Sequence, residues 1–449
     1  MTHDTRPTPQ PPLDETHRAD LVSWVESAQD PATDFPIQNL PLGWGSAAED
    51  AGRPCVAIGE GALDLGELGD AGLLDRETAA LVADSRAAGS LNPLLAAGRP
   101  ALARLRVALS RALRADTPEG ARARAIPGLL VAIRDVRLGV PARIGDYTDF
   151  YAGIHHAQNV GSMFRPDNPL LPNYRWVPIG YHGRASSIVA SGTPVRRPRG
   201  QTRDDPAAPP AYGPTRRLDY ELEVGVFVGA PLPLGGTLAL DSAEAHVAGL
   251  CLVNDWSARD VQTWEYQPLG PFLAKSFLTT VSPWIVTLDA LAPFRAPAYP
   301  RTADEPAPLP YLASEGDRRA GGLDIRLEVL LSSPRMRAAE APPMRVSLGR
   351  FTDLYWTIAQ LLTHHASNGC NLQAGDLLAS GTVSGSTPDS RGCLLERTWR
   401  GTEPLTLPTG ETRRFLEDGD EVVLRGWCER EGARRIGFGE CRGLVMPAA

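Results

Sequence analysis

The feature that most constrains this chain is a succession of short β-type runs between residues 145 and 449, divided by glycine and proline. The runs are "SSIVASGTPV", "DYELEVGVFVG", "GLCLVND", "SPWIVTL", "LDIRLEVLLSS" and "DEVVLRGWC". Runs of this length, bounded by turn residues, are typical of an all-β or β-rich domain. A single clear helical pattern, at 351–369, interrupts them, with Thr352 or Asp353 as candidate N-cap and Asn368-Gly369 as candidate end.

The first third of the chain has a different pattern. Residues 1–15 are polar and proline-rich, and we predict a disordered tail there, with no signal-peptide core. Residues 54–68 alternate apolar and small side chains, as strands of a small β unit do, whereas residues 73–125 have helical periodicity. Because periodicity breaks at 138–146, we predict an N-terminal domain over 16–141 and a β-rich domain over 142–449.

Composition restricts the class of partner. The net charge of -8, without a basic stripe interleaved with aromatic residues, disfavours nucleic acid. No apolar run approaches the roughly 20 residues that a membrane-spanning helix requires, so no membrane association is expected. The six cysteines have no C-x-x-C spacing, which disfavours a disulfide scaffold or a zinc knuckle and predicts a reducing, cytoplasmic setting.

One predicted strand carries three acids. The period of two in a strand places Asp219, Glu221 and Glu223 on one face. A solvated outer face is the ordinary interpretation of such a row. The same face continues with Gly225 and Phe227, however, and this change to apolar character favours the wall of a pocket.

Two further segments bring acids to the ends of apolar or aromatic runs. Asp255 follows the strand "AGLCLV", and Asp146 and Asp149 lie among aromatic residues in "GDYTDFY". Carboxylates without a cysteine or histidine ligand set favour a hard cation, Ca²⁺ or Mg²⁺, over zinc. The sequence has neither a G-x-G-x-x-G phosphate loop in strand–helix context nor a G-x-S-x-G nucleophile elbow.

Lys275 is the only lysine among the 45 basic side chains. Lysine carries a compact charge on a thin stem, whereas the guanidinium of arginine is a broad planar fork. Survival by chance on a solvated surface is one interpretation. Phe272, Leu273 and Phe277 favour another, in which Lys275 directs a small cation at a specific group.

Five segments resemble the fumarylacetoacetase family: "DFYAGIHHAQNVGSMFR", "GYHGRASSIVASGTPVRRP", "LDYELEV", "NDWSARDVQTWEYQPLGPFLAKSF" and "NGCNLQAGDLLASGTVSGS". A sixth, "DFPIQNLPLG", is also similar, so the resemblance covers nearly the whole chain after the tail. The E-x-E, A-R-D and G-D-L-L-A-S-G-T elements belong to a wider superfamily, whereas "WEYQPLGPF" and "HAQNVGSMFR" resemble the hydrolases in particular.

The resemblance implies roles for individual residues. The implied metal ligands are Asp149, Glu221, Glu223 and Asp255, with a second, Mg²⁺-type site at Asp255, Lys275 and Thr279. The implied general base is His156, paired with Glu396, and the implied oxyanion donors are Arg259, Gln262 and Lys275. The implied substrate contacts are Tyr151, Arg165, Tyr181, Gln262, Tyr266 and Thr382. Ala274 and Leu278 stand where the family usually has glycine.

The resemblance also implies the fold and the activity. The expected fold is mainly β, with a small N-terminal SH3-like β-barrel domain followed by a large mixed β-sandwich roll, assembled as a homodimer. The expected activity is metal-dependent cleavage of the carbon–carbon bond of fumarylacetoacetate, with Ca²⁺ or Mg²⁺ as cofactor. Two alternatives stay open: another superfamily reaction on a related oxo-acid (acylpyruvate hydrolysis, decarboxylation or isomerisation), and a non-catalytic, Ca²⁺-stabilised binding protein.

Overall fold

The computed structural model describes residues 13–47, 52–205 and 207–449. Most of the predicted tail over 1–15 therefore lies outside the described residues. Where the description begins, the side chain of Asp14 caps a 3-10 helix at Glu15–His17. The division into domains at residue 141 stays a prediction.

The N-terminal part combines short strands with a group of helices. Its strands are β1 (Leu42–Ala47), β2 (Arg53–Ile58), β3 (Gly61–Asp64), β4 (Leu130–Ala132) and β5 (Val136–Leu138). Its helices are α1 (Leu65–Asp70), α2 (Arg76–Ala88), α3 (Asn92–Ala96), α4 (Gly98–Leu113) and α5 (Pro118–Arg124). The predicted β unit over 54–68 therefore ends earlier, because Asp64 caps α1 through the N–H groups of Gly66 and Glu67. The helical prediction over 73–125 is confirmed.

The rest of the chain is built mainly from strands. Those that follow β5 are β6 (Tyr147–Phe150), β7 (Gly180–His182), β8 (Ile188–Ala190), β9 (Val195–Arg196), β10 (Arg199–Thr202), β11 (Ala211–Pro214), β12 (Leu218–Asp219), β13 (Leu222–Val228), β14 (Val247–Asp255), β15 (Ser257–Ala258), β16 (Thr279–Val281), β17 (Trp284–Thr287), β18 (Arg295–Ala296), β19 (Gly322–Leu323), β20 (Arg326–Ser332), β21 (Met344–Arg350), β22 (Leu377–Ala379), β23 (Leu405–Thr406), β24 (Thr412–Arg413), β25 (Glu421–Cys428) and β26 (Ile436–Met446). The helices are α6 (Ile154–Phe164), α7 (Arg259–Glu265), α8 (Glu315–Ala320), α9 (Pro334–Ala338), α10 (Ile358–Ala366) and α11 (Leu394–Arg397).

Two mixed sheets organise these strands. The large sheet runs in the order β4-β3-β2-β1-β17-β14-β13-β22-β6-β7, with β5 paired to β1 and β16 paired to β14 and β8. The second sheet runs β21-β20-β25-β26-β9. Both contain parallel pairs, β22 with β6 in the first and β26 with β9 in the second. The prediction of a mainly β, mixed-sheet fold is confirmed; an SH3-like barrel for β1–β5 stays a prediction.

The central strands β13 and β14 are buried on both faces. Val224, Val226 and Leu252 pack in one apolar core with Val329 and Leu424 of the second sheet. On the opposite face, Phe227, Cys251 and Val253 pack in another core with side chains of the N-terminal helices, such as Leu102 and Leu105. A strand that is buried on both sides has a nearly continuous apolar sequence, as "GLCLV" does.

The prediction of a single helix among the β runs was wrong. The structure adds α6 and α7, which carry His156 and Arg259 respectively. The predicted helix at 351–369 is also shorter, because α10 begins after Thr357, whose side chain forms a capping box with Gln360. The preceding segment is held out of the helix, since the Tyr355 N–H donates to the carbonyl oxygen of Ala152.

Candidate active site

Four acids from three strands meet beneath a cavity. Asp149 lies on β6, Glu223 on β13 with Glu221 just before it, and Asp255 ends β14. β13 pairs with both β14 and β22, and β22 pairs with β6, so adjacent strands carry these acids to one place. One carboxylate oxygen from each lies within 4.8 Å of the others, and all four side chains are buried.

Two of these acids have an oxygen without a partner. Asp149 Oδ1 and Glu223 Oε1 are buried and accept no hydrogen bond from the described residues. Burial and the charge of Asp255 raise the pKa of Asp149 well above its ordinary value, and burial and the charge of Asp149 do the same to the pKa of Glu223. Burial of unpaired carboxylates raises the free energy of the folded protein unless a cation binds between them.

Lys275 and Arg259 balance part of this negative charge. Lys275 Nζ donates to Glu221 Oε2 and to Asp255 Oδ2, each at 2.6 Å. Arg259 Nη1 donates to Glu221 Oε1 at 2.6 Å, and its Nε donates to Asp219 at 2.9 Å. Burial favours the neutral amine, but the charges of Asp255 and Glu221 outweigh it and raise the pKa of Lys275 above its ordinary value.

The residues that the resemblance implies for a second cation site lie together around Asp255. Thr279 donates to Asp255 Oδ1 at 3.1 Å, and Lys275 lies on the other oxygen of the same carboxylate. Leu278 is directed away, since its side chain packs on the large apolar core. Asp219 stands apart from the four acids, because its oxygens accept the N–H groups of Leu394 and Leu395 as well as Arg259.

His156 and Glu396 form a buried pair. His156 Nδ1 lies 2.6 Å from Glu396 Oε2, and both side chains are buried. Asn159 and Ser384 also donate to Glu396, each at 2.8 Å. Burial alone would raise the pKa of Glu396, but the charge of His156 and these hydrogen bonds lower it to about 2. The arrangement fixes the ring so that Nε2 is left for a ligand or solvent.

A cavity of about 630 Å³ is lined by three of the four acids, Asp149, Glu221 and Glu223, and by His156. It is lined by all six residues that the resemblance implies as substrate contacts and by the oxyanion donors Arg259 and Lys275. The Thr382 hydroxyl is buried and has no partner among the residues that the structure describes, and Gln262 accepts a hydrogen bond from Arg259. Tyr181 donates to Asp255 at 2.9 Å, and the Tyr151 ring lies edge-on to His156 with 5.3 Å between ring centroids. Tyr266 is 40% exposed at the mouth.

The sequence and fold were compared with known proteins. A family model described as "Fumarylacetoacetate (FAA) hydrolase C-terminal" matches residues 147–446, and "Fumarylacetoacetase N-terminal" matches residues 38–141. The chain is 46% identical to the fumarylacetoacetase of Oryza sativa subsp. japonica over 97% of this chain and 99% of that protein. It is 45% identical to that of Homo sapiens, over 95% and 99% of the two chains. The chain belongs to the fumarylacetoacetase family.

The comparison with solved structures concerns the fold alone. A Mycobacterium smegmatis crystal structure assigned as an HpcE protein matches with a TM-score of 0.50 at 18% identity, over 91% of this chain and 99% of that one. The fold of this chain is thus similar to that of a protein with low sequence identity.

Sequence reasoning missed part of the surroundings of Glu396. Asn159 lies three residues after His156 on α6, and this spacing places both side chains on one face of the helix. The sequence could therefore have indicated that Asn159 lies near the partner of His156. Ser384 and Cys393, whose thiol donates to Glu396 at 3.2 Å, carried no local signal. Glu265 was also missed: its carboxylate accepts the N–H groups of Phe272, Leu273 and Ala274, directly before Lys275.

The four-acid cluster fits a divalent cation. Its donors are all carboxylate oxygens, which suit Ca²⁺ or Mg²⁺, and two of those oxygens are buried without partners. The two cations present, Lys275 and Arg259, are outnumbered by the acids they contact. A buried acidic cluster that can hold a metal ion is therefore a feature of this member of the fumarylacetoacetase family.

Proposed function

We propose that this protein cleaves fumarylacetoacetate to fumarate and acetoacetate, the last step of tyrosine catabolism, in a metal-dependent hydrolysis. The observation that carries the proposal is one cavity lined by Asp149, Glu221 and Glu223 of the four-acid cluster and by His156 of the His156–Glu396 pair. Family membership supports the same assignment, because relatives with 45–48% identity along almost their whole length are fumarylacetoacetases.

His156 is the proposed base. With the proton on Nδ1 donated to Glu396, Nε2 accepts a proton from water, and the resulting hydroxide attacks the carbonyl carbon of the fumaryl group. Glu396 stabilises the imidazolium that forms, since its lowered pKa keeps it ionised. Base catalysis of this kind contributes about 10²–10⁴-fold.

The donors near the acids stabilise the charge that develops. Lys275, Arg259 and Gln262 line the cavity and are the proposed oxyanion donors. When the carbon–carbon bond breaks, its electron pair passes to the acetoacetate carbon, which takes up the proton that His156 removed from water. The hydroxyl group stays on the other carbon as the new carboxyl group of fumarate.

Asp149, Glu221, Glu223 and Asp255 are the proposed ligands of the metal ion. When bound there, a divalent cation supplies Lewis-acid polarisation of the substrate carbonyls. We propose Ca²⁺ or Mg²⁺, with the second, Mg²⁺-type position at Asp255, Lys275 and Thr279. Tyr151, Arg165, Tyr181, Gln262, Tyr266 and Thr382 are the proposed substrate contacts.

The oligomeric state, the location and the partners of the protein are inferred from the family resemblance. A homodimer, a cytoplasmic location and the absence of nucleic-acid or membrane partners stay predictions. None of the helices in the described ranges has the length and apolar character that a bilayer-spanning segment requires. The six cysteines are free and five of them are buried, which supports a reducing environment.

Product analysis tests the proposal. The purified protein with added Ca²⁺ or Mg²⁺ is incubated with fumarylacetoacetate, and the products are identified by chromatography. We expect fumarate and acetoacetate in equal amounts. Cleavage of acetopyruvate with no action on fumarylacetoacetate would favour the other superfamily reactions, and metal-dependent melting without any turnover would favour the non-catalytic binding protein.

A further inference from the structure

We infer that Arg217 binds one of the two terminal carboxylates of the substrate, as a specificity residue outside the set that the family resemblance implies. This inference rests on the proposed function. Arg217 lines the cavity, immediately before β12, and its side chain is half-buried. Its carbonyl oxygen accepts the Arg259 N–H at 2.9 Å, which ties its backbone to the first residue of α7.

The guanidinium of Arg217 has no hydrogen bond or ion pair within the described part of the chain. Its neighbour Arg216 does not line the cavity and forms an exposed ion pair with Asp204. A half-buried guanidinium has lost part of its hydration, and an anion in the cavity compensates for that loss. The guanidinium of Arg217 is therefore available to bind an anionic ligand in the cavity, rather than to contact another residue of the protein.

The other cations of the cavity are already engaged. Arg259 and Lys275 contact Asp219, Glu221 and Asp255. Arg400 donates to the carbonyl oxygen of Met163 and lies over the Phe164 ring, 4.4 Å from its centroid. Arg165 Nη2 donates to the Pro169 carbonyl oxygen at 3.4 Å, and Arg165 Nε is buried without a partner among the described residues. Arg259 Nη2 is buried without a partner there too, but the other donors of Arg259 are held by Asp219, Glu221 and Gln262. Arg165, Arg217 and Arg400 are thus the cavity arginines without an ion pair in the described part of the chain, and Arg400 is held at Met163 and Phe164.

The chemistry of the substrate calls for two such groups. Fumarylacetoacetate has a carboxylate at each end of a chain whose centre is a 1,3-diketone, and the diketone belongs at the acid cluster. The acids there repel both ends, so each carboxylate needs its own cation away from the cluster. Arg165 serves one end and Arg217 the other, and the protein thereby selects a dicarboxylate over a mono-acid.

The test compares Arg217→Gln with Arg216→Gln, its neighbour on the exposed side. We expect Arg217→Gln to raise KM for fumarylacetoacetate by about tenfold to hundredfold, as loss of one hydrogen-bonded charge pair does, with kcat changed less than about twofold. Arg217→Lys, which keeps the charge, recovers part of the affinity. Thermal melting of each variant shows whether it is folded.

Binding of the products separates the two arginines. Titration calorimetry with fumarate and with acetoacetate should show that Arg217→Gln weakens one product and Arg165→Gln the other. Wild-type protein that binds neither product, or an Arg217→Gln variant that matches Arg216→Gln in KM and in both titrations, would overturn the inference. A wild type without turnover would instead remove the proposed function, while the titrations still decide the role of Arg217.

Discussion

Lys275 occupies a position that a small cation fits. Its ammonium lies 2.6 Å from carboxylates of two candidate metal ligands, and the side chain is only 6% exposed. Phe272 and Leu273 are exposed and Phe277 is half-buried, so two of the three apolar residues that suggested a dry setting do not bury the lysine. Its ion-pair partners Glu221 and Asp255 are themselves buried.

We therefore expect Lys275→Arg to fold but to lose activity. A planar guanidinium takes one carboxylate in a two-pronged pair and displaces the substrate oxygen. Loss of an oxyanion donor elsewhere reduces kcat by about 10²–10³-fold, and a similar fall is expected here. Steady-state kinetics and thermal melting measure the two effects, with the exposed Arg318→Lys as a control. Wild-type kcat and KM in Lys275→Arg would show that the shape of the cation is irrelevant.

Glu396 holds His156 in its orientation. Glu396→Gln keeps the shape but removes the charge, so we expect kcat to fall by about 10²–10⁴-fold. The fall comes from an imidazolium that is no longer stabilised. Ser384→Ala, which removes one donor to Glu396, should cost far less, because Asn159 and His156 stay in place. Equal losses in the two variants would assign the effect to general disturbance of the pocket.

The same carboxylate gives a pH dependence of stability. The pKa of Glu396 is lowered from 4.5 to about 2 in the folded protein, so its ionised form stabilises the fold above about pH 4.5 and this contribution is lost as pH falls towards 2. Wild type should therefore melt above Glu396→Gln at pH 7, and the difference between their Tm values should shrink in acid. A difference that grew below pH 4.5 would reverse this sign.

The burial of the acidic run was predictable, because the period of two in a strand placed Asp219, Glu221 and Glu223 on a face that continues to Phe227, and all three acids are buried. The single strand predicted for them was wrong, since the structure ends β12 at Asp219 and begins β13 at Leu222. The start of α10 was not predictable in this way. Tyr355 and Trp356 fit a helical pattern, but a hydrogen bond to Ala152, about two hundred residues away along the chain, holds this segment in a bend before the helix.

The position of the N-cap gives a stability prediction. The Thr357 hydroxyl oxygen accepts the Gln360 N–H, and the Thr357 N–H donates to Gln360 Oε1. Thr357→Ala should therefore destabilise the protein by about 0.5–2 kcal/mol. Thr352→Ala, at one of the two caps that the sequence predicted, should cost less, because the 3-10 helix at Phe351–Asp353 has no side-chain cap. Chemical denaturation gives the free energy of unfolding of both variants and shows which of the two positions caps the helix.

The four acids of the site come together through the strand order of the large sheet. Asp149 is separated from Glu221 by a long stretch of chain, and only the order β14-β13-β22-β6 brings them together. At β22 the chain must pass close to β6, and Gly381 is required there because an added Cβ would lie 2.1 Å from the Phe150 carbonyl oxygen. The sequence of each segment showed that it carries acids. The distances between acids of different segments depend on the strand order, which the periodicity of the sequence does not predict.

The cavity, too, belongs to the assembled molecule. Helices α6 and α7 bring His156 and Arg259 to its lining, and neither helix was predicted. Ser384 and Cys393 reach Glu396 from loops with no sequence signal. Strands β13 and β14, packed on both faces, give this constellation a rigid base.

Chelation and add-back, on wild type and on His156→Ala, test the central claim that the four acids bind a divalent cation beside a histidine base. We predict that a chelator lowers Tm and abolishes fumarylacetoacetate cleavage by wild type, and that Ca²⁺ or Mg²⁺ restores both. His156→Ala should keep the metal-dependent rise in Tm but lose at least about a hundredfold in kcat. Full activity without metal, or an active His156→Ala variant, would contradict the account.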